Sequence, residues 1–110
     1  MDFGTKLKSL RKDRNETLHM VAIGTNIDMT LLSKFERKER IPTNEQARRI
    51  AEYFHIDLNK LNIELTAEKI IYEYGLNETT YQAVNLVREA FVAYPEYSPK
   101  KKRIHETINR

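Results

Sequence analysis

The chain has 110 residues, enough for one small folded domain and an appendage. Charged residues make up 32% of it with a net charge of +3, a mild bias toward polyanionic partners, and the absence of cysteine excludes disulfides and thiolate metal sites. No apolar run approaches membrane-spanning length and the N-terminal MDFGTKLKSLRK has no signal-peptide core, so a soluble cytoplasmic protein with no membrane partner is expected.

The predicted elements are helices throughout. Phe3, Leu7 and Leu10 line a first helix, with Lys6, Lys8, Arg11 and Lys12 around them. Thr17 opens a second helix, because its hydroxyl can accept from free N–H groups of the first turn. Leu18, Val21 and Ala22 then form one apolar stripe, and Ala22 is small where another helix would cross closely. Asn26 suits a left-handed turn, Ile27 is an apolar plug, and Asp28 caps a third helix from about Met29 to Arg37. On that helix Leu31, Leu32 and Phe35 share the apolar side, which leaves Met29, Thr30, Ser33, Lys34 and Arg37 outside. After Pro42, Thr43 and Gln46 have capping-box spacing for a helix that carries Ala47, Ile50, Ala51 and Phe54. Asp57 caps a further turn with Leu58 and Leu61. Ile63 and Leu65 lead into TAEKIIYEYG, which ends at Gly75, a natural helix stop. Asn77 caps a long segment to Tyr94, closed by Pro95, with Tyr81, Val84, Val87 or Arg88, Phe91 and Tyr94 at three-to-four-residue spacing. The tail PEYSPKKKRIHETINR, with two prolines and the basic run Lys100 to Arg103, has too few apolar residues to fold alone, so disorder is expected there.

Catalytic chemistry finds no constellation in this chain. His19, His55 and His105 fall in three separate segments without metal-ligand spacing, and neither a phosphate-cradling glycine loop nor a nucleophile motif is present. No enzyme activity, no metal and no cofactor are expected. The stretch Thr17 to Thr43 carries more information. Two short helices joined by a tight turn are how a helix-turn-helix lays one helix across a DNA groove and another inside it. A short helix with a polar and basic outer face suits the major groove. Charge is unevenly spread. Residues 1–65 carry 12 Lys and Arg against 10 Asp and Glu, residues 66–94 carry 2 against 4, and residues 95–110 carry 5 against 2. The middle segment is therefore a poor DNA surface and a better partner surface.

The segments FGTKLKSLRKDR, TLHMVA, NIDMTLLSKFERKERIP and ARRIAEYFHIDLNKL agree in order and spacing with a known pattern. From Phe3 to about Leu61 the chain resembles the Cro/CI-type (XRE-like) helix-turn-helix regulators of bacteria and phages. The remainder, with TAEKIIYEYG, is also similar to small regulators found beside restriction-modification methyltransferases. The resemblance implies base contacts by Met29, Thr30, Ser33 and Lys34, with Met29 able to offer only apolar contact, for example to a thymine methyl. It implies phosphate contacts by Arg37, Lys38 and Arg40, and a buried ion pair between Arg11 and Glu36. Three positions depart from the pattern. Asn26 stands for the usual turn Gly, Lys38 for the Gly after the recognition helix, and Leu18 for a phosphate-clamping Gln, whose role would fall to Thr17 or His19.

The expectation is an all-α chain. A five-helix Cro/CI-like domain spans 1–65, a helical dimerisation segment spans 66–94, and a basic tail spans 95–110. Ile70, Tyr74, Tyr81, Val84, Val87, Phe91 and Tyr94 are the expected dimer residues, since this segment has more apolar positions than one small domain needs. The implied function is a sequence-specific transcription regulator that reads double-stranded DNA as a homodimer. An antitoxin-like module that binds a protein through residues 66–94, with DNA binding secondary, is the alternative.

Overall fold

The computed structural model describes residues 2–94. Six helices account for most of them: α1 (Phe3–Asp13), α2 (Leu18–Thr25), α3 (Met29–Glu36), α4 (Asn44–Phe54), α5 (Leu58–Tyr74) and α6 (Glu78–Ala93), with no strand among the described residues. The tail expected at 95–110 lies outside the described residues. The described residues divide into two units, one ending at Glu73 and the other beginning at Tyr74.

The first unit is organised by helical periodicity. Phe3 and Leu7 of α1, Val21 of α2, Leu32 and Phe35 of α3, Ala47, Ile50, Ala51 and Phe54 of α4, and Leu61 and Leu65 of α5 converge on one core, plugged by Ile27. Burying side chains of the Leu, Ile or Phe size contributes about 1.5–3 kcal/mol each, so this cluster drives the unit's assembly. The helix starts are set locally. Asp2 accepts from the N–H of Thr5 at 2.9 Å, and Thr43 and Gln46 bond each other's backbone N–H at 3.2 and 2.9 Å. Helix α1 lies close against the end of α3 because Gly4 has no side chain. A Cβ there would come within 2.5 Å of the Phe35 carbonyl oxygen and 3.0 Å of that of Glu36.

One element differs from the sequence expectation. The short fifth helix and the TAEKIIYEYG segment form a single helix, so the division expected at residue 65 falls in mid-helix. No helix-breaking residue lies between Asp57 and Gly75, and Leu61 and Leu65, four apart, are both buried on one side. Farther along, the Glu68 carboxylate accepts from the N–H of Phe3 at 3.2 Å, which ties this half of α5 to the start of α1. Gly75, with φ of 83°, stops the helix.

In the second unit, Asn77 caps α6 by accepting from the N–H of Thr80 at 2.9 Å, and donates to the Tyr74 carbonyl at 2.9 Å. None of the residues of α6 is buried. Tyr81, Val84, Val87 and Phe91 are all exposed on it, as are Leu86 and Val92.

Candidate nucleic-acid interface

Helices α2 and α3 and the turn between them form the candidate interface. The Thr17 hydroxyl oxygen accepts from the N–H of Met20 at 3.1 Å and so starts α2. Thr17 and His19 are both exposed at this end. A helix N-terminus with unpaired N–H groups is suited to an anion such as a phosphate. Helix α2 ends at Asn26 in the left-handed region, with φ of 58° and ψ of 39°. Asparagine tolerates that conformation better than most residues. The Asn26 carbonyl accepts from Arg49 of α4 at 3.1 Å, and Ile27 is buried below, so the turn is braced from two sides. Asp28 starts α3 by accepting from the N–H of Thr30 at 2.7 Å.

Helix α3 shows its two sides clearly. Leu32 and Phe35 are buried, Met29 and Thr30 are exposed, and Ser33 and Lys34 are half-buried. Arg37 is the C-cap rather than the last helical residue, because Lys38 turns into the left-handed region with φ of 66°. The N–H of Lys38 bonds to the Phe35 carbonyl at 3.0 Å and that of Glu39 to the Lys34 carbonyl at 2.9 Å, the paired closure of a Schellman motif. Arg37 donates to Glu39, Nε to Oε2 at 2.8 Å, and also to the Ser33 hydroxyl. The pairing of Arg37 with Glu39 holds the Glu39 carboxyl below and the Arg37 guanidinium above their ordinary pKa values. The Lys38 ammonium lies 3.3 Å from Asp2, and Arg40 is exposed beyond it.

Helix α3 is anchored from behind. Arg11 of α1 meets Glu36 in a two-pronged pair, Nε to Oε2 at 2.8 Å and NH2 to Oε1 at 3.0 Å, with side chains 14% and 8% exposed. Its remaining NH1 donates to the Glu16 carbonyl at 3.0 Å. The hydrogen bonds to Glu36 raise the Arg11 pKa further. On the far side, Tyr53 of α4 bonds Glu16 at 2.8 Å and lies over Gly24, where a side chain would collide with its ring.

The candidate surface comprises Met29, Thr30, Ser33 and Lys34 on α3, with Arg37 at its C-cap, Lys38 and Arg40 on its exit, and Thr17 and His19 at the start of α2. The supporting roles of Arg49, Glu39, Glu68 and Tyr53 escaped the sequence reading. Only the four-residue spacing of Glu45 and Arg49, which form an ion pair at 3.1 Å, left a local trace. Among the described residues no group of three or more His, Cys, Asp or Glu side chains is placed to hold a metal ion, and no helix is long and apolar enough to cross a membrane.

Two short helices joined by a braced left-handed turn, the second with an apolar back and a polar, basic front, define a helix-turn-helix. The family model HTH_3, Helix-turn-helix, matches residues 7–61, and the chain belongs to this family, the Cro/CI-type (XRE-like) DNA-binding regulators. No curated protein and no solved structure matches the chain.

Proposed function

We propose that this DNA-binding protein is a sequence-specific transcriptional regulator of the repressor or controller type, working in the cytoplasm as a homodimer and without catalysis or cofactor. The observation that carries the reading is α3: its apolar back is locked into the core while its front offers Met29, Thr30, Ser33 and Lys34. In this reading these four meet base edges in the major groove, and Thr17, His19, Arg37, Lys38 and Arg40 meet phosphates.

Dimerisation is supported by α6. A helix of 16 residues with no buried residue is marginally stable in water, and covering Tyr81, Val84, Val87 and Phe91 with a second copy would supply the missing burial. Ile70 and Tyr74 of α5, and Tyr94, are exposed as well and extend the candidate dimer set. A dimer would read a pseudo-palindrome with half-sites ~34 Å apart or a multiple of that spacing.

The test is to sequence the DNA that the purified protein selects from its own genome, and then to compare Lys34→Ala with the parent. A lost base contact weakens binding to the selected site by about 1–3 kcal/mol and leaves binding to random DNA nearly unchanged. Equal losses on both would make Lys34 a phosphate contact. A monomer in sedimentation at high micromolar concentration, with and without the selected DNA, refutes the dimer. Those exposed α6 residues also suit the antitoxin-like reading, which a tight stoichiometric complex with a different protein would favour.

A further inference from the structure

The exit from α3 folds a carboxylate back onto the reading surface. The left-handed Lys38 and the bond from the Glu39 N–H to the Lys34 carbonyl fix Glu39 beside the last turn of α3. Its carboxylate takes the Arg37 guanidinium in two hydrogen bonds, from Nε at 2.8 Å and from NH2 at 3.4 Å. The positive charge of Lys34 acts on the same carboxylate. The third nitrogen of Arg37 also donates to the Ser33 hydroxyl. An acidic group thus sits among cations on the side of the unit assigned to DNA.

We propose that Glu39 is a specificity-determining residue: an internal anion that occupies Arg37 and withholds it from the phosphates of DNA of arbitrary sequence. The proposal rests on the reading that α3 faces DNA. A carboxylate and a phosphate offer a guanidinium the same two-pronged acceptor geometry. To grip a phosphate with the same Nε and NH2 fork, Arg37 must leave Glu39, and the uncovered carboxylate then faces a polyanion. Both effects oppose sequence-independent binding, which is carried by phosphate neutralisation and counterion release. On the selected site the base-edge contacts by Met29, Thr30 and Lys34 require no such exchange, and there Arg37 keeps Glu39 in place of the phosphate contact proposed for it. Glu39 therefore lowers non-specific affinity more than specific affinity.

The experiment uses the full chain and its Glu39→Gln, Arg37→Ala, Arg37→Ala/Glu39→Gln and Lys34→Ala variants. Binding is titrated by fluorescence anisotropy on a random-sequence duplex and on a duplex that the parent protein selects from a random pool, over a four-fold range of salt. Glu39→Gln is expected to bind the random duplex about three-fold tighter at the low-salt end and to narrow the ratio between the two duplexes. Its slope of log affinity against log salt steepens by about 0.9, the signature of one added phosphate contact. In the Arg37→Ala background the same substitution no longer steepens the slope. Unchanged random-duplex affinity and slope in Glu39→Gln overturn the proposal, and so does a loss confined to the selected duplex, which would make Glu39 a base reader. If the parent selects no duplex, or if Lys34→Ala and Arg37→Ala both bind as the parent does, the placement of α3 on DNA falls and takes the proposal with it. Weakened binding by Lys34→Ala beside an inert Glu39→Gln sinks the proposal alone.

Discussion

Replacing Arg11 with alanine takes the cation from Glu36, whose side chain is only 8% exposed when the pair is intact. The substitution removes bonds of 2.8 and 3.0 Å to the Glu36 carboxylate and one of 3.0 Å to the Glu16 carbonyl. Breaking a buried pair from one side costs about 3–5 kcal/mol. Here Arg11 is itself 14% exposed, so water reaches the edge of the pair and the lower end, about 3 kcal/mol, applies. A unit of this size holds roughly 4–10 kcal/mol in all, so the loss is about 30% of its stability or more. With a urea dependence of about 1 kcal/mol/M, the midpoint of unfolding falls by about 3 M. The double variant Arg11→Met/Glu36→Leu removes both charges and recovers most of the loss, because neither partner is then stranded. Urea unfolding followed by far-UV circular dichroism reads all of these. An unchanged midpoint in Arg11→Ala, or a double variant as damaged as the sum of its single changes, would refute the reasoning.

Three further outcomes follow from other parts of the structure. Lys38→Gly relieves the left-handed backbone at φ of 66°, a conformation that costs a side chain about 1–2 kcal/mol; the gain exceeds the loss of the exposed contact to Asp2, so the melting temperature rises by a few degrees. A melting temperature that falls would show that the Asp2 contact outweighs the strain. In an unconstrained helix Gly4→Ala would stabilise, but the collision with the Phe35 and Glu36 carbonyls makes it destabilising by about 1–3 kcal/mol, and a raised melting temperature would contradict this. In acid, the Glu45 carboxyl is held at about 2, chiefly by Arg48 and next by Arg49, against an ordinary 4.5. A lowered folded pKa gives stability that is complete above the unfolded value and lost as pH falls toward the folded one. Stability therefore declines between about pH 4.5 and 2, less steeply in Glu45→Gln and in high salt. An acid transition identical in parent and variant would remove Glu45 from the account.

What the sequence determined by itself is what depends on neighbours along the chain. Thr17, Thr43 and Asn77 start helices because each side chain bonds an N–H three residues on, at distances of 3.1, 3.2 and 2.9 Å. The inner side of α3 was readable because Leu32 and Phe35 recur at helical period, and that assignment leaves Met29 and Thr30 outside. Helix α5 was only half legible. Its continuation past Leu65 needed the absence of a breaker to be weighed against the expected boundary, and the tie from Glu68 to Phe3, 65 residues apart, is invisible to any local pattern. The same holds for Arg49 on the Asn26 carbonyl and for Gly4 against the end of α3. The partner of Arg11 came from family resemblance, since no spacing relates residues 25 positions apart. Tertiary structure alone decided the rest, including the return of Glu39 onto Arg37 through the left-handed Lys38. Caps and periodicity act over one or two helical turns, whereas a carboxylate meets its cation wherever the packed core happens to bring two distant surfaces together.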